Sequence, residues 1–161
     1  MDVDHQEEEV KLTLLSEEGL DRLIGHLGIP QRTIEQSNEY FDTAAQHLLA
    51  DRVMLRIRRQ GEDLIVTTKS NAEILTGGLR CREIEHKTTI EESASHLEAG
   101  LHKWDIAPIR HALDFVPPGS SFSSLGTSIN LRRFYNYEND GVLEVDRTVL
   151  PDGTIHAELE L

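Results

Sequence analysis

The sequence predicts an α+β protein built mainly from antiparallel strands, with helices between the strands at two points. Three observations predict this class. Apolar and polar residues alternate with period two in several short segments, which is typical of strands with one buried face. Turn residues separate those segments at short intervals. Two other stretches have the apolar spacing and the end signals of helices.

Length and composition point to one soluble domain over residues 1–161. A hydrophobic content of 38% is enough for a core, and no apolar run is long enough to span a membrane. The net charge of -13 argues against a general nucleic-acid or membrane partner, which would need a basic surface. With one cysteine and an acidic N-terminus unlike a signal peptide, we expect a cytoplasmic protein without disulfides.

The first strand is predicted over residues 6–14, with the sequence QEEEVKLTL. In a strand, Glu7, Glu9 and Lys11 share one face. Like charges on one face of a sheet normally repel each other, so this face needs an oppositely charged partner.

The first helix is predicted over residues 16–29. The Ser16 side chain can cap the helix by accepting a hydrogen bond from a backbone N–H of its first turn, and Leu20, Leu23 and Leu27 form the apolar stripe of the helix. Gly28 is a plausible end of the helix.

The rest of the chain alternates strands and turns, with a second helical stretch. We expect a short helical turn at 44–51, a helix at 91–104 followed by irregular chain to 113, and a loop at 115–126 that is rich in proline, serine and glycine. Tight turns are predicted at 76–78 (TGG) and at 138–141 (ENDG), the second joining a hairpin. Seven further strands are predicted: 37–43, 52–59, 63–70, 79–90, 128–137, 141–150 and 154–161.

Several of these strands have like charges two residues apart, which places both on the same face. Arg56 and Arg58 are one such pair, and Glu158 and Glu160 are another. One interpretation is an ordinary solvated face on each strand. The other is a sheet curled into a barrel with these faces inside, where carboxylates would hold a divalent cation and arginines would hold phosphate. A lumen with both kinds of side chain suits a metal-phosphate substrate.

The order of these motifs resembles the CYTH superfamily, the triphosphate tunnel metalloenzymes, over residues 5–161. Glu7, Glu9 and Lys11 match its ExExK signature, and LRIR and TGGL look most like the bacterial inorganic triphosphatases. The other matching segments are YFDT (40–43), the strand that contains Lys69, GGLRCREIE (77–85), NLRRFY (130–135), LEVD (143–146) and ELEL (158–161).

The resemblance implies an eight-stranded antiparallel β-tunnel, a closed barrel with helices packed outside, that binds a linear triphosphate together with Mg2+ or Mn2+. The implied metal ligands are Glu7, Glu9, Glu144, Asp146, Glu158 and Glu160. The implied phosphate ligands are Lys11, Arg56, Arg58, Lys69, Arg82 and Arg132. The candidates for the catalytic base are Glu85, Glu158 and Glu160.

Three features depart from the family pattern. Arg82 has the opposite parity to Glu83 and Glu85, so all three reach one face only if the strand contains a bulge. Asn130 stands where the family often has a lysine. The sequence ends at Leu161 inside the last predicted strand, whereas relatives usually continue into a helix, so we expect a CYTH domain without that helix.

The expected reaction is metal-dependent hydrolysis of inorganic tripolyphosphate to pyrophosphate and phosphate. The alternatives are a class IV adenylate cyclase, a thiamine triphosphatase, and a module that binds polyphosphate or nucleotides without hydrolysing them. The expected partner is the small-molecule triphosphate alone, with the protein as a monomer or homodimer.

Overall fold

The described residues of the computed structural model, 1–76, 78–137 and 141–161, contain one antiparallel sheet and four α-helices, which confirms the predicted α+β class. The strands are β1 Asp2–Glu9, β2 Lys11–Leu14, β3 Arg32–Asp42, β4 Met54–Gln60, β5 Asp63–Leu75, β6 Gly78–Thr89, β7 Ser123–Tyr137, β8 Gly141–Val149 and β9 Ile155–Glu160. The helices are α1 Glu17–Leu27, α2 His47–Ala50, α3 Ile90–Ala99 and α4 Ala107–Leu113, with a 3-10 turn at Leu101–Lys103. The strand order is β1-β6-β5-β4-β3-β7-β8-β9-β2.

The N-terminal segment forms two strands where the sequence predicts one. The predicted strand 6–14 is broken at Val10, because β1 pairs with β6 whereas β2 pairs with β9. Val10 itself exchanges two backbone hydrogen bonds with Leu161, at 2.9 and 3.0 Å. One continuous segment thus supplies both edges of a nine-stranded sheet, which has one strand more than the eight that were predicted.

Helices cover the apolar outer face of the sheet in two places. Leu55, Ile57, Leu64 and Val66 of β4 and β5 are buried against the region that contains α3 and α4. A second core forms where Leu20 and its neighbours on α1 pack on the outer face of β7, β8 and β9. The outer face is therefore apolar where the helices cover it, and the charged residues that face each other across the sheet lie on its other face.

The ends of α1 confirm the prediction from sequence. The Ser16 hydroxyl accepts a hydrogen bond from the Gly19 amide at 3.1 Å, and the helix ends at Gly28, whose φ of 80° suits glycine. These local signals depend on side chains within the helix and its caps, so they can be interpreted without knowledge of the tertiary structure.

Several segments differ from the prediction. Strand β3 begins at Arg32 and not at residue 37, β5 continues to Leu75 and not only to residue 70, and α3 ends at Ala99 and not at residue 104. Residues 107–113, predicted as irregular, form α4, because Pro108 lies in the first turn, where its missing N–H is tolerated. Strand β7 begins at Ser123, inside the predicted loop, because its start pairs with the end of β3. Residues 138–140 of the predicted ENDG turn and Gly77 of the TGG turn lie outside the described residues.

Among the helices of the described residues, none is both long and apolar enough to cross a bilayer.

We expect Ile57→Ala to lower the free energy of unfolding by about 2–5 kcal/mol, because Ile57 is fully buried between β4 and the helices. Ile74→Ala is the matched control, since Ile74 is also in a strand but is 92% exposed. Urea titration of both variants measures the difference. Equal losses in the two variants would contradict the assignment of this core.

Candidate active site

Strand β4 shows how charged side chains come to lie on the inner face of the sheet. Leu55 and Ile57 lie on its outer face under the helices, and Arg56 and Arg58 alternate with them on the inner face. Arg59 is again on the outer side, where it donates to Glu39 on β3 at 3.1 Å.

Side chains from seven strands meet on the inner face around a wholly polar cavity of about 90 Å3. The edge strands β1 and β2 and the central strands β4 and β5 all contribute to it, so the sheet curls around this cavity. The lining residues are Glu7, Glu9, Lys11, Arg56, Arg58, Lys69, Glu83, Arg132 and Glu160.

Lys69 on β5 is held between two carboxylates. It contacts Glu7 on β1 and lies 2.8 Å from Glu83 on β6. Burial alone would lower the pKa of Lys69, but the hydrogen bonds to these two carboxylates raise it above its usual value. Lys69 is therefore a charged, fully compensated cation.

Lys11 on β2 is surrounded by three carboxylates. Its Nζ lies 2.9 Å from Glu160, 3.2 Å from Glu9 and 3.9 Å from Glu158. Burial again favours the neutral amine, yet the carboxylates outweigh it and raise the pKa of Lys11. This lysine connects β1 and β9 across the point where the N-terminal strand is broken.

Arg132 on β7 is the third compensated cation. It donates to Asp146 at 2.8 and 2.5 Å and to Glu160 at 2.8 Å, and it contacts Glu144. Despite its burial, these carboxylates raise the pKa of the guanidinium. Two parallel hydrogen bonds to Asp146 fix the plane of the arginine.

The carboxylates around Arg132 crowd each other. Burial raises the pKa of Glu144, and the nearby Glu160 and Asp146 raise it further, against the opposing effect of Arg132. For Glu160, burial is outweighed by Arg132 and Lys11, which lower its pKa. Arg132 therefore does not fully balance the negative charge of Glu144, Asp146 and Glu160.

Arg56 and Arg58 are different from the other three cations. Among the described residues, no carboxylate lies within 4.0 Å of either, and their hydrogen bonds go to neutral oxygens: Arg56 to the Thr67 hydroxyl at 3.4 Å and Arg58 Nε to the Asn38 amide oxygen at 2.9 Å. The Nε of Arg56 is buried without a partner in the described residues. Burial, together with Arg56 and Arg132 nearby, lowers the pKa of Arg58 to about 10.

Glu85 lies next to this uncompensated pair. Its carboxylate accepts a hydrogen bond from Thr67 at 3.1 Å, and Thr67 in turn accepts from Arg56. Within the described residues Glu85 has no ion pair, unlike Glu158 and Glu160. Its second oxygen is therefore available for another hydrogen bond.

The structure brings most of the predicted site residues together. Eight of them line the cavity: Glu7, Glu9, Lys11, Arg56, Arg58, Lys69, Arg132 and Glu160. The others contact the cavity residues or their neighbours. Glu144 and Asp146 form ion pairs with Arg132, and Glu158 forms one with Lys11. Glu85 accepts a hydrogen bond from Thr67, the partner of Arg56. Their chemical roles remain predictions.

Arg82 does not belong to this group. It lies on the outer side and forms two hydrogen bonds with Asp4, at 3.1 and 2.7 Å. The register shift beside Arg82 places its extra residue in β5, between Ser70 and Glu73, so the alternation of β6 is unbroken and Glu83 takes the cavity position. Parity within RCREIE is the signal that identifies Glu83, which the prediction omitted, and excludes Arg82.

The predicted metal ligands have suitable chemistry without a preformed geometry. Their carboxylate oxygens are the ligands that Mg2+ and Mn2+ prefer. In the described part of the chain, however, no three His, Cys, Asp or Glu side chains converge as a metal centre. The carboxylates are directed toward Lys11, Lys69 and Arg132, and the raised pKa of Glu144 shows that these cations do not fully offset its burial and the neighbouring carboxylates.

Three solved structures share this architecture. HpAC1 from Hippeastrum, a candidate adenylyl cyclase described as revealing a dominant triphosphatase activity, is 26% identical, with a TM-score of 0.79 over 95% of this chain and 77% of that one. A candidate adenylate cyclase from Bacillus halodurans is 27% identical, with a TM-score of 0.75 over 96% of this chain and 80% of that one. The PH1012 protein from Pyrococcus horikoshii, at 19% identity and a TM-score of 0.55 over 95% and 76% of the two chains, shares the fold alone.

Sequence comparison adds the family. No curated protein matches the chain. The model of the CYTH domain matches residues 5–161, which is nearly the whole sequence. The chain therefore belongs to the CYTH domain family.

Proposed function

We propose that this chain is a metal-dependent hydrolase of linear triphosphates, with inorganic tripolyphosphate as its preferred substrate. The observation that carries the proposal is the pair of the buried Arg56 and the half-buried Arg58, which have no carboxylate partner in the described residues, in a cavity where the other cations are compensated. Membership of the CYTH family and the triphosphatase activity of HpAC1 support it.

Phosphate is the ligand that best fits the arginine pair. Guanidinium groups present several N–H donors in a plane that matches phosphate oxygens, and a buried cation needs a counter-charge. Lys11, Lys69 and Arg132 would hold further phosphate oxygens by releasing part of their contact with the carboxylates. Phosphate oxygens of the substrate would thus take the place of some of the neutral and carboxylate oxygens that these five cations now contact.

The carboxylates would hold the divalent cation. The ligands would come from Glu7, Glu9, Glu144, Asp146, Glu158 and Glu160. When bound, Mg2+ or Mn2+ supplies positive charge for the phosphate oxygens and makes hydrolysis of the anhydride easier.

Hydrolysis requires a water molecule in line with the anhydride bond. Water attacks the terminal phosphorus, the bridging P–O bond breaks, and pyrophosphate leaves with the bonding electron pair. Glu85 is the best placed of the three predicted bases to orient that water and accept its proton, because Glu158 and Glu160 are engaged by Lys11. Arg56 and Arg58 would stabilise the charge that develops on the phosphate oxygens.

The same proposal includes closure of the sheet into a tunnel. Val10 joins the two edge strands directly, and Lys11 forms ion pairs with Glu9 on one edge and Glu160 on the neighbouring strand. A closed wall would exclude bulk water from the phosphates and strengthen each electrostatic contact.

A class IV adenylate cyclase is the second candidate. It is favoured by the descriptions of the Hippeastrum and Bacillus halodurans proteins as candidate cyclases. It would convert ATP to cyclic AMP and pyrophosphate at the same cations. The two functions differ in product, so one assay distinguishes them.

We expect phosphate release from tripolyphosphate with Mg2+ or Mn2+ and none with EDTA, because uncompensated carboxylates and phosphates repel each other without the metal. ATP and thiamine triphosphate are assayed in parallel, with chromatography for cyclic AMP. Equal release in EDTA would contradict metal dependence, and cyclic AMP from ATP would favour the cyclase. Tight binding of tripolyphosphate without turnover would indicate a binding module.

We expect Arg58→Gln to lower kcat/KM for tripolyphosphate roughly 100-fold or more, because it removes a preorganised cation from the phosphates. Arg59→Gln is the matched control: it is the adjacent residue, with the same change in charge, but on the outer face. Steady-state kinetics on both variants measures the difference. A similar loss in the two variants would show that net charge, not the cavity, is responsible.

We expect Glu85→Gln to lower kcat about 100-fold or more with little change in KM, because the amide cannot accept the proton of the attacking water. Glu35→Gln on the exposed face of β3 is the control. Retention of kcat in Glu85→Gln would exclude Glu85 as the base and leave Glu158 and Glu160 as the candidates.

A further inference from the structure

The five cations of the cavity fall into two classes according to their hydrogen-bond partners. Lys11, Lys69 and Arg132 are held by carboxylates. Arg56 and Arg58 are held by the neutral oxygens of Thr67 and Asn38. The partner, not the cation itself, therefore decides which positive charges remain available for an anionic ligand.

We propose that Asn38 is a positioning residue that orients Arg58 for a phosphoryl group and keeps its charge available, and that Asn38 thereby sets the affinity of the cavity for triphosphate. This inference rests on the proposed function. It adds a residue that touches no substrate and acts through the guanidinium of Arg58.

The contact between the two side chains has the geometry that this role needs. Asn38 is 3% exposed on β3 and lies opposite Arg58 in the β3–β4 register. Its amide oxygen accepts from Arg58 Nε at 2.9 Å. Because Nε is the donor nearest the chain, this bond fixes the plane of the guanidinium. In the described residues neither Nη group has a hydrogen-bond partner, so both are available to a ligand in the cavity that Arg58 lines.

The neighbours of Asn38 extend the same neutral wall. Gln36, Ser128 and Asn130 are each buried with an exposure of 4% or less, and Gln36 pairs with Asn130 and Asn38 with Ser128 in the β3–β7 register. Strand β3 thus gives the inner face near Arg58 hydrogen-bonding groups without charge. The low pKa of Arg58 agrees with this surrounding, since no carboxylate is close enough to offset its burial.

An aspartate at this position would have nearly the same shape but would form an ion pair with Arg58 in the absence of ligand. A phosphate oxygen would then have to compete with that carboxylate and would also be repelled by it. The substitution Asn38→Asp therefore adds a negative charge while it keeps the size and shape of the side chain, because only the amide nitrogen is replaced by an oxygen.

The test measures tripolyphosphate binding by calorimetry in EDTA and hydrolysis with Mg2+. We expect Asn38→Asp to weaken binding and raise KM roughly tenfold or more, with a smaller effect on kcat. Ser37→Asp is the control: it adds the same charge on the same strand but on the outer face, and we expect the affinity and KM of the unaltered protein. Asn38→Ser, which keeps a neutral acceptor, should recover much of the lost affinity. Circular dichroism verifies the fold of each variant.

The outcomes separate this inference from the proposed function. Unchanged binding and KM in folded Asn38→Asp, beside an active unaltered protein, would overturn the role of Asn38 and leave the hydrolase intact. Binding that Asn38→Asp weakens, in a protein that releases no phosphate, would support the role of Asn38 and overturn the hydrolase. An unaltered protein that neither binds tripolyphosphate in EDTA nor releases phosphate from it with Mg2+ would overturn both.

Discussion

The arrangement of this molecule depends on one constraint: charge that is taken out of water must have a partner. The inner face of the sheet brings lysines and arginines from β2, β4, β5 and β7 together with glutamates from β1, β6 and β9. Isolated, each of these groups would be strongly unfavourable in such a place. Together they form a network in which carboxylates raise the pKa values of Lys11, Lys69 and Arg132 above the values that burial alone would give. The curled sheet is what brings strands from its edges and its centre within reach of each other.

The same constraint explains why the sheet has its apolar face outside. A sheet with a charged inner face cannot build its core there, so Leu55, Ile57 and Val66 point outward and need a cover. The chain supplies it with α3 and α4 on one side and with α1 on the other. Stability and function thus depend on opposite faces of the same strands. Substitutions on one face are expected to leave the other largely intact, and the controls chosen on β3 and β4 use this separation.

The sequence could predict the faces of the strands but not the way in which the segments pair. Period-two alternation assigns Arg56 and Arg58 to one face and Leu55 and Ile57 to the other, because alternation is a local property of a strand. The break at Val10 could not be predicted in this way, since it arises from a change of partner from β6 to β9, and both partners are distant in sequence. The start of β7 was missed for the same reason.

The site itself shows a similar division. The charged motifs correctly predicted most of the cavity residues. Arg82 was wrongly included among the phosphate ligands, although its position in the strand alternates with Glu83 and Glu85 and so predicted the opposite face. The neutral partners Asn38 and Thr67 were missed because an uncharged side chain in a strand has no distinctive pattern. The role of such a side chain becomes visible only when the structure shows that its neighbour across the sheet is an arginine that has no carboxylate partner.

The division of the cations into compensated and available ones has a consequence for how a ligand would bind. An empty cavity with all five cations unpaired would be unstable, and one with all five paired would have little attraction for another anion. In this structure three cations contact carboxylates, which offsets the cost of their burial, and two arginines on neutral oxygens would retain an attraction for an anion. Under the proposed function, a triphosphate with its divalent cation would change both sets at once, because the phosphates would bind the arginines while the metal would bind the carboxylates that the lysines release. In this arrangement metal and phosphate would bind most tightly together, since each removes the repulsion that the other would meet alone.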